Sequence, residues 1–562
     1  MSSTELFAGT SYTRPTGLEK GLVFLIRTQT ANGVPWTISS HDHASSSVYL
    51  GGITPLHWTW FCRLATICSF SEAPPLPPGP PPHFLVGNLR DFPKDREWLG
   101  YAKIGEDYQS DIISLSALGK TIIVLNSHRA TTDLLDKSAK YADRPQIPMI
   151  NLMGLGDIVT FSQYGPRWRA LRRAIHLDMQ ESVILKYWAS QVAEAQRLVA
   201  RLFTHRDKAL LRDVQHWAAA FLLSGTFGYH LPADTSNDPL LPYMQELLDM
   251  VASGTQSSRF LVNLLPALKY WPEWMPGGSF QTIARRARQL RKLAGDDPFD
   301  RVKDEMASGV AAPSYVSRML SEIEHENKGT GSGADLGNSI DYEEIIRANA
   351  VTLFGAGFDT TVTTLLSFLV AMQMYPEVQS RAREEVLGII DPTTGQPVPA
   401  DIVELPYLRN VLREVMRWLP ALPLGIPHAT TEEDEYRGYR IPARSVIVPN
   451  LWALSRENSI YPDPETFNPD RFNDPNLPHE APFGFGRRRC PGMHLANSNL
   501  LIVFAYLLAN FDITKAVNGD GSVAEPSVIM WKDLQNRPDL LRCGFIPRNQ
   551  ALLEELVGKQ SM

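Results

Sequence analysis

The run Phe483-Gly-Phe-Gly-Arg-Arg-Arg-Cys490-Pro-Gly492 constrains this chain more than any other feature. It sets one cysteine among glycines and arginines, directly ahead of a helical pattern at His494, Leu495, Ala496, Leu500 and Leu501. Pro491 suits a first helical position, where its missing N–H costs nothing. So placed, Cys490 sits where helix-end N–H groups and cations both favour a thiolate over a thiol. Gly484, Gly486 and Gly492 let the backbone turn tightly and approach a flat object closely. A thiolate presented this way, open on one side, suits an axial ligand of heme iron. The bland alternative is a surface loop around a buried structural cysteine.

Composition narrows the classes that remain. The net charge of -7 argues against general nucleic-acid binding, which needs a basic footprint. The cysteines are Cys62, Cys68, Cys490 and Cys543, too few for a disulfide framework and without a C-x-x-C pair for zinc. A reducing compartment, or a membrane protein facing one, fits best. The opening residues show no signal-peptide pattern. Ile53–Phe70 is apolar and aromatic but includes His57 and Arg63, which is marginal against the roughly 20 apolar residues of a span. Pro74-Pro-Leu-Pro-Pro-Gly-Pro-Pro-Pro82 follows as a stiff polyproline segment.

The pattern Phe483-x-x-Gly486-x-Arg488-x-Cys490-x-Gly492 resembles the heme-binding signature of the cytochrome P450 monooxygenases. The resemblance extends from Pro74 to about Arg548, with further motifs in the family's order. It implies a mainly α fold with small β-sheets, one domain around one heme (iron protoporphyrin IX). Helical patterns from about Trp98 to Leu419, with strand-like segments near Ile112–Val124 and Tyr436–Val448, agree with it. The expected organisation is an N-terminal segment over 1–73, carrying a degraded anchor or disordered, a proline-rich hinge over 74–82, and the heme–thiolate domain over 83–562.

The resemblance also assigns residues. Trp168 and Arg172, four apart on a helix opened by Gly165-Pro166, share a face and are implied to bind a heme propionate, as are His428 and Arg488. Phe483 and Gly486 belong to the cofactor loop, and Cys490 is the metal ligand. Asp341–Met374 reads as one long helix whose Gly355, Gly357, Thr360 and Thr361 weaken it locally. In the family this helix is opened above the heme, Thr360 and Asp359 forming the relay that supplies protons for O2 cleavage. The competing account is helix packing through small residues, with Thr360 bonded back to its own helix. Glu414 and Arg417, three apart, are implied to lock with Arg471 of Pro469-Asp-Arg-Phe472 as a structural triad. Phe354, Ala356, Leu422, Leu424 and Ile426 are candidate substrate-pocket residues, with Met149, Ile150, Leu152 and Met153 beside them.

Tyr141-Ala-Asp-Arg-Pro145, Tyr164-Gly-Pro-Arg-Trp168 and Ile426-Pro-His428 resemble fungal members that tailor secondary metabolites. One departure is the short connection from Phe472 to Phe483, which raises the prospect of an altered loop beneath the heme. The implied activity is insertion of one oxygen atom from O2 into a hydrophobic small molecule. The chain has no Gly-x-Gly-x-x-Gly fingerprint of its own, so the implied electron donor is an NADPH-cytochrome reductase at the endoplasmic reticulum membrane. Arg169, Arg173, Arg487 and Arg489 suggest a basic docking face. The segment Phe260–Met275, rich in Leu and Trp, reads either as core or as an element dipping into the bilayer. Two other functions stay open here: a heme–thiolate isomerase acting on peroxides without a reductase, and a vestigial, non-catalytic heme-binding protein.

Overall fold

The computed structural model describes residues 74–560 apart from 85, 233–234, 236–237, 257–258, 330–340, 479–480 and 527–541, together with two short strands near the start. By contact the chain divides into two units, Met1–Ala73 and Pro74–Met562. The first is described only as an antiparallel pair, Pro35–Ile38 with Ser46–Tyr49. The apolar stretch Ile53–Phe70 lies outside the described residues.

In the second unit the proline segment is fastened down rather than free. Ser114 Oγ donates to the Pro77 carbonyl at 2.5 Å, and Arg440 N–H to the Pro75 carbonyl at 2.8 Å. Arg440 lies on a small separate strand, Tyr439–Ile441, whereas Ser114 belongs to a four-stranded sheet: β1 Ile112–Ala117, β2 Lys120–Leu125, β3 His428–Ala429 and β4 Val446–Pro449. The spatial order is β1-β2-β4-β3, with β2 and β4 parallel and the other pairs antiparallel. On its far side β3 meets the loop after β2, where Ala429 N–H donates to the Asp143 carbonyl at 2.9 Å. This bridge carries His428 to Tyr141–Arg144, residues almost three hundred positions earlier.

Apart from two further antiparallel pairs, Asp434–Tyr436 with Tyr439–Ile441 and Phe511–Lys515 with Cys543–Pro547, the described remainder is mainly helical. Four helices position the site: α1 Pro166–Met179, α2 Tyr342–Met374, α3 Pro406–Trp418 and α4 Met493–Asn510. Asp341 caps α2, its carboxylate accepting from the N–H groups of Glu343 and Glu344. Pro376, just past its end, opens the next helix. Helix α2 is buried on every side because it crosses the middle of the domain, and Phe368 stacks on Phe504 of α4 at 3.8 Å between ring centroids. By length and composition α2 and α4 could each cross a membrane, but 61% and 72% of their apolar windows are buried in this fold. They are core helices. A last helix, α5 Gln550–Gln560, seats the fully buried Leu553 in the main core.

Candidate active site

The cysteine loop is shaped by its backbone. Gly486 has φ +51, and a Cβ there would collide with the Leu135 carbonyl oxygen. Its N–H donates to the Asp136 carboxylate. Gly486 therefore anchors the loop to the Thr132–Asp136 turn and does not border the cavity. Cys490 N–H closes the loop on the Phe483 carbonyl at 2.7 Å. Helix α4 begins at Met493 with Gly492 as its cap, so Pro491 precedes the helix instead of opening it. Burial pushes the Cys490 thiol up, against the Gly492 N–H and the Arg172 guanidinium, which both pull it down. Burial therefore works against the expected preference for thiolate, and a coordinated metal ion removes that proton outright.

Cys490 borders a cavity of about 270 Å³. Phe483 and Gly492 stand on its side of the space; Leu353, Ala356, Gly357 and Thr360 of α2, with Leu422 and Ile426, complete the walls. At one end converge Arg144, Trp168, Arg172, His428 and Arg488. Arg488 lies over the Trp168 ring at 4.4 Å and donates to the carbonyls of Ala142, Val159 and Ser162 at 2.7, 3.2 and 2.8 Å. Arg144 donates to those of Thr160, Ile426 and Pro427 at 3.1, 2.8 and 2.9 Å. Arg172 donates to the Arg489 carbonyl. Burial lowers Arg488 to about 10 and, aided by repulsion from Arg488, Arg144 to about 9; both stay charged at neutral pH.

Asp143 offsets part of the charge on Arg144 and Arg488, but three guanidiniums gathered at the end of an apolar slot stay costly unless a further anion joins them. Two carboxylates on the edge of a flat apolar ring meet that need, with Cys490 placed to bind a metal at the ring's centre. The donor set therefore fits heme. His428 qualifies this. Its Nδ1 pairs with the Tyr141 carbonyl at 2.8 Å, and burial first, then Arg144, lowers it to about 3. A neutral ring whose Nδ1–H is spent on a carbonyl offers the cavity a lone pair, and an arriving carboxylate must raise its pKa before it can donate.

The α2 wall differs from the sequence expectation. The helix runs unbroken, and Thr360 Oγ1 donates to the Ala356 carbonyl at 2.8 Å. Gly357 is explained by packing, because a Cβ there would press on the Leu222 side chain at 2.8 Å. Asp359 is half-buried and outside the cavity lining. Phe354 stacks on Phe358, 5.4 Å between centroids, and leaves the lining to Leu353 and Gly357. The cause is rotation of about 100° per residue, which turns position 354 away from the face of 353, 356, 357 and 360. Leu424 packs into the apolar clusters around the sheet. Met149, Ile150 and Met153 are core residues, and half-buried Leu152 packs on that core.

Glu414, Arg417 and Arg471 come together. Glu414 is fully buried and accepts from Arg417 Nε and Nη2 at 2.7 and 2.8 Å, from Arg471 Nε at 3.1 Å and from Asn468 N–H at 2.8 Å. The network ties α3 to the Pro469–Asn473 turn that leads to the cysteine loop. Across the short connection, Phe472, Pro478, Ala481 and Pro482 close together around a space of only about 20 Å³.

Sequence reasoning missed Arg144 as a site residue, although its motif was noticed, and also Ile175 and Met179. The last two follow from extending the Trp168–Arg172 spacing along α1, and both border the cavity.

A mainly helical domain with a cysteine facing a cationic cradle across an apolar slot is the frame of a heme–thiolate enzyme. A family model described as Cytochrome P450 matches residues 77–535. The chain is 37% identical over 493 residues to cytochrome P450 monooxygenase 98 of Postia placenta, covering 85% of this chain and 91% of that protein. It is 35% identical over 497 residues to cytochrome P450 monooxygenase ppsD of Aspergillus oryzae (86% and 91%). With tryptamine 4-monooxygenase of Psilocybe cyanescens it shares 34% over 499 residues (86% and 95%). The chain belongs to the cytochrome P450 family and is a monooxygenase.

Proposed function

We propose that this enzyme inserts one oxygen atom from O2 into a hydrophobic small molecule in fungal secondary metabolism, taking electrons from an NADPH-dependent reductase. The observation that carries the reading is the apolar cavity between Cys490 and Thr360, with its cationic end. Heme, when bound, supplies the oxygen chemistry. The chain's residues do the rest. Arg144, Arg172 and Arg488 hold the propionates with Trp168 and His428, and Cys490 holds the iron. Ala356, Leu422 and Ile426 exclude water and shape the substrate's seat. The Thr360 hydroxyl, once released from the Ala356 carbonyl, passes a proton into the cavity, and Asp359 resupplies it from solvent.

Arg169, Arg173 and Arg487 are exposed on the side of α1 and the cysteine loop, which supports docking of an acidic electron donor there. Leu261, Leu265, Tyr270, Trp271 and Trp274 are exposed within one segment, which supports seating on the endoplasmic reticulum membrane. The test is reconstitution of purified protein with an NADPH–heme-protein reductase and a panel of neutral hydrophobic compounds. The expected result is oxygen uptake matched by a product bearing one added oxygen. Turnover that needs no reductase would identify an isomerase instead.

A further inference from the structure

Helix α1 sends four side chains to the cavity: Trp168, Arg172, Ile175 and Met179. Their spacings of four, three and four keep them on one face of the helix. Trp168 and Arg172 serve the charged end, whereas Met179 closes the stripe beside the cysteine. Met179 Sδ and Cys490 Sγ flank a single notch, since a Cβ built on Gly492 would stand 3.9 Å from the first and 4.0 Å from the second. Met179 is buried, and its thioether is polarisable but has no hydrogen to donate. The Gly492 N–H also acts on the cysteine sulfur, pulling its pKa down. Arg172, whose charge also acts on that sulfur, spends a guanidinium N–H on the Arg489 carbonyl.

We propose that Met179 is a positioning residue that sets the electron-donating strength of the Cys490 sulfur by filling its flank with a group that donates no hydrogen bond. The inference rests on the heme–thiolate reading of the site. Every hydrogen bond donated to a ligating sulfur withdraws charge from it, and such bonds help to set the reduction potential of the centre. A thioether leaves that charge to the metal; an amide in the same place competes for it.

The test compares full-length, heme-loaded wild-type protein with Met179→Gln, a donor of similar length, and Met179→Leu, an apolar neighbour without one. Spectroelectrochemical titration reads the potential without turnover, and the absorption of the reduced, carbon monoxide-bound protein reads the sulfur's donation. The expected result for Met179→Gln is an approximately tenfold higher ferrous-to-ferric ratio at fixed poise, equivalent to about 59 mV for one electron. Its carbon monoxide band moves with it, while Met179→Leu stays within about twofold of wild type. A Met179→Gln protein with full heme and wild-type potential would overturn the proposal, as would an equal shift in Met179→Leu. If Met179→Gln does not accumulate, Met179→Thr carries a donor on a smaller side chain and is held to the same two outcomes. Wild-type protein that binds no heme would refute the reading of the site itself, and this inference with it.

Discussion

The two walls of the cavity are built differently. On the cysteine side, each functional group is held by bonds it cannot easily exchange: Cys490 N–H on the Phe483 carbonyl, Gly486 on Asp136, and Arg488 on three backbone carbonyls. Across the space, Thr360 is committed only to its own helix, through a bond to Ala356 that rotation about χ1 breaks. Thr352 and Thr364 do the same with Ala348 and Thr360. One wall is preorganised for binding, and the other keeps a hydroxyl in reserve. Damage to the first should therefore cost cofactor and stability, while damage to the second should cost chemistry alone.

The largest expected effect lies behind the first wall. Glu414→Ala leaves Arg417 and Arg471 buried without their carboxylate, a loss of about 3–5 kcal/mol. Denaturant unfolding should show that loss, and heme should fail to incorporate; normal heme content would break the comparison. Thr360→Ala tests the other wall. Heme binding should be unchanged and NADPH still consumed, while product falls on the order of 10²-fold and hydrogen peroxide takes its place. Unchanged coupling of NADPH to product would remove Thr360 from proton transfer. Arg144→Met removes one charged donor from the cradle. Heme dissociation should quicken about tenfold or more, since a hydrogen bond to a charged group is typically worth ~1.5–3 kcal/mol, with coupling of surviving holoprotein intact.

The last effect is a pH dependence, small near neutral pH. His428 is lowered from 6.5 to about 3 by burial, so between those values the unfolded chain binds the proton and the folded one does not. Its contribution to stability is complete above about 6.5 and is lost progressively as pH falls towards 3. The acid sensitivity of heme-free protein should therefore exceed that of a His428→Gln variant. Heme should shrink the difference, because a propionate beside the ring raises its pKa. A gap that persisted unchanged in holoprotein would place His428 away from the propionate.

These contrasts also explain what the sequence made legible. Patterns local to a helix or loop were readable: Trp168 with Arg172, Glu414 with Arg417, the long helix ending near Met374, and the glycine turns before Cys490. Closures across long stretches were not. Arg144 joins the cradle because Asp143 bridges to Ala429 of β3, a pairing that no local spacing encodes. Phe354 was misplaced by a single residue of helix rotation, and Gly486 was assigned to the cofactor when its missing side chain makes room for Leu135. Two glycines and a threonine in α2 suggested an opened helix. Instead Gly355 packs against Leu248, Gly357 against Leu222, and the Thr360 hydroxyl bonds back to its own helix.

The account turns on sulfur ligation by Cys490. The most direct measurement is the absorption spectrum of purified, dithionite-reduced protein under carbon monoxide, for wild type and Cys490→Ser side by side. Wild type should show the red-shifted Soret band of a thiolate-ligated heme, and the variant should lose it. An identical spectrum from the two proteins, or a colourless wild type expressed with ample heme, would contradict the account.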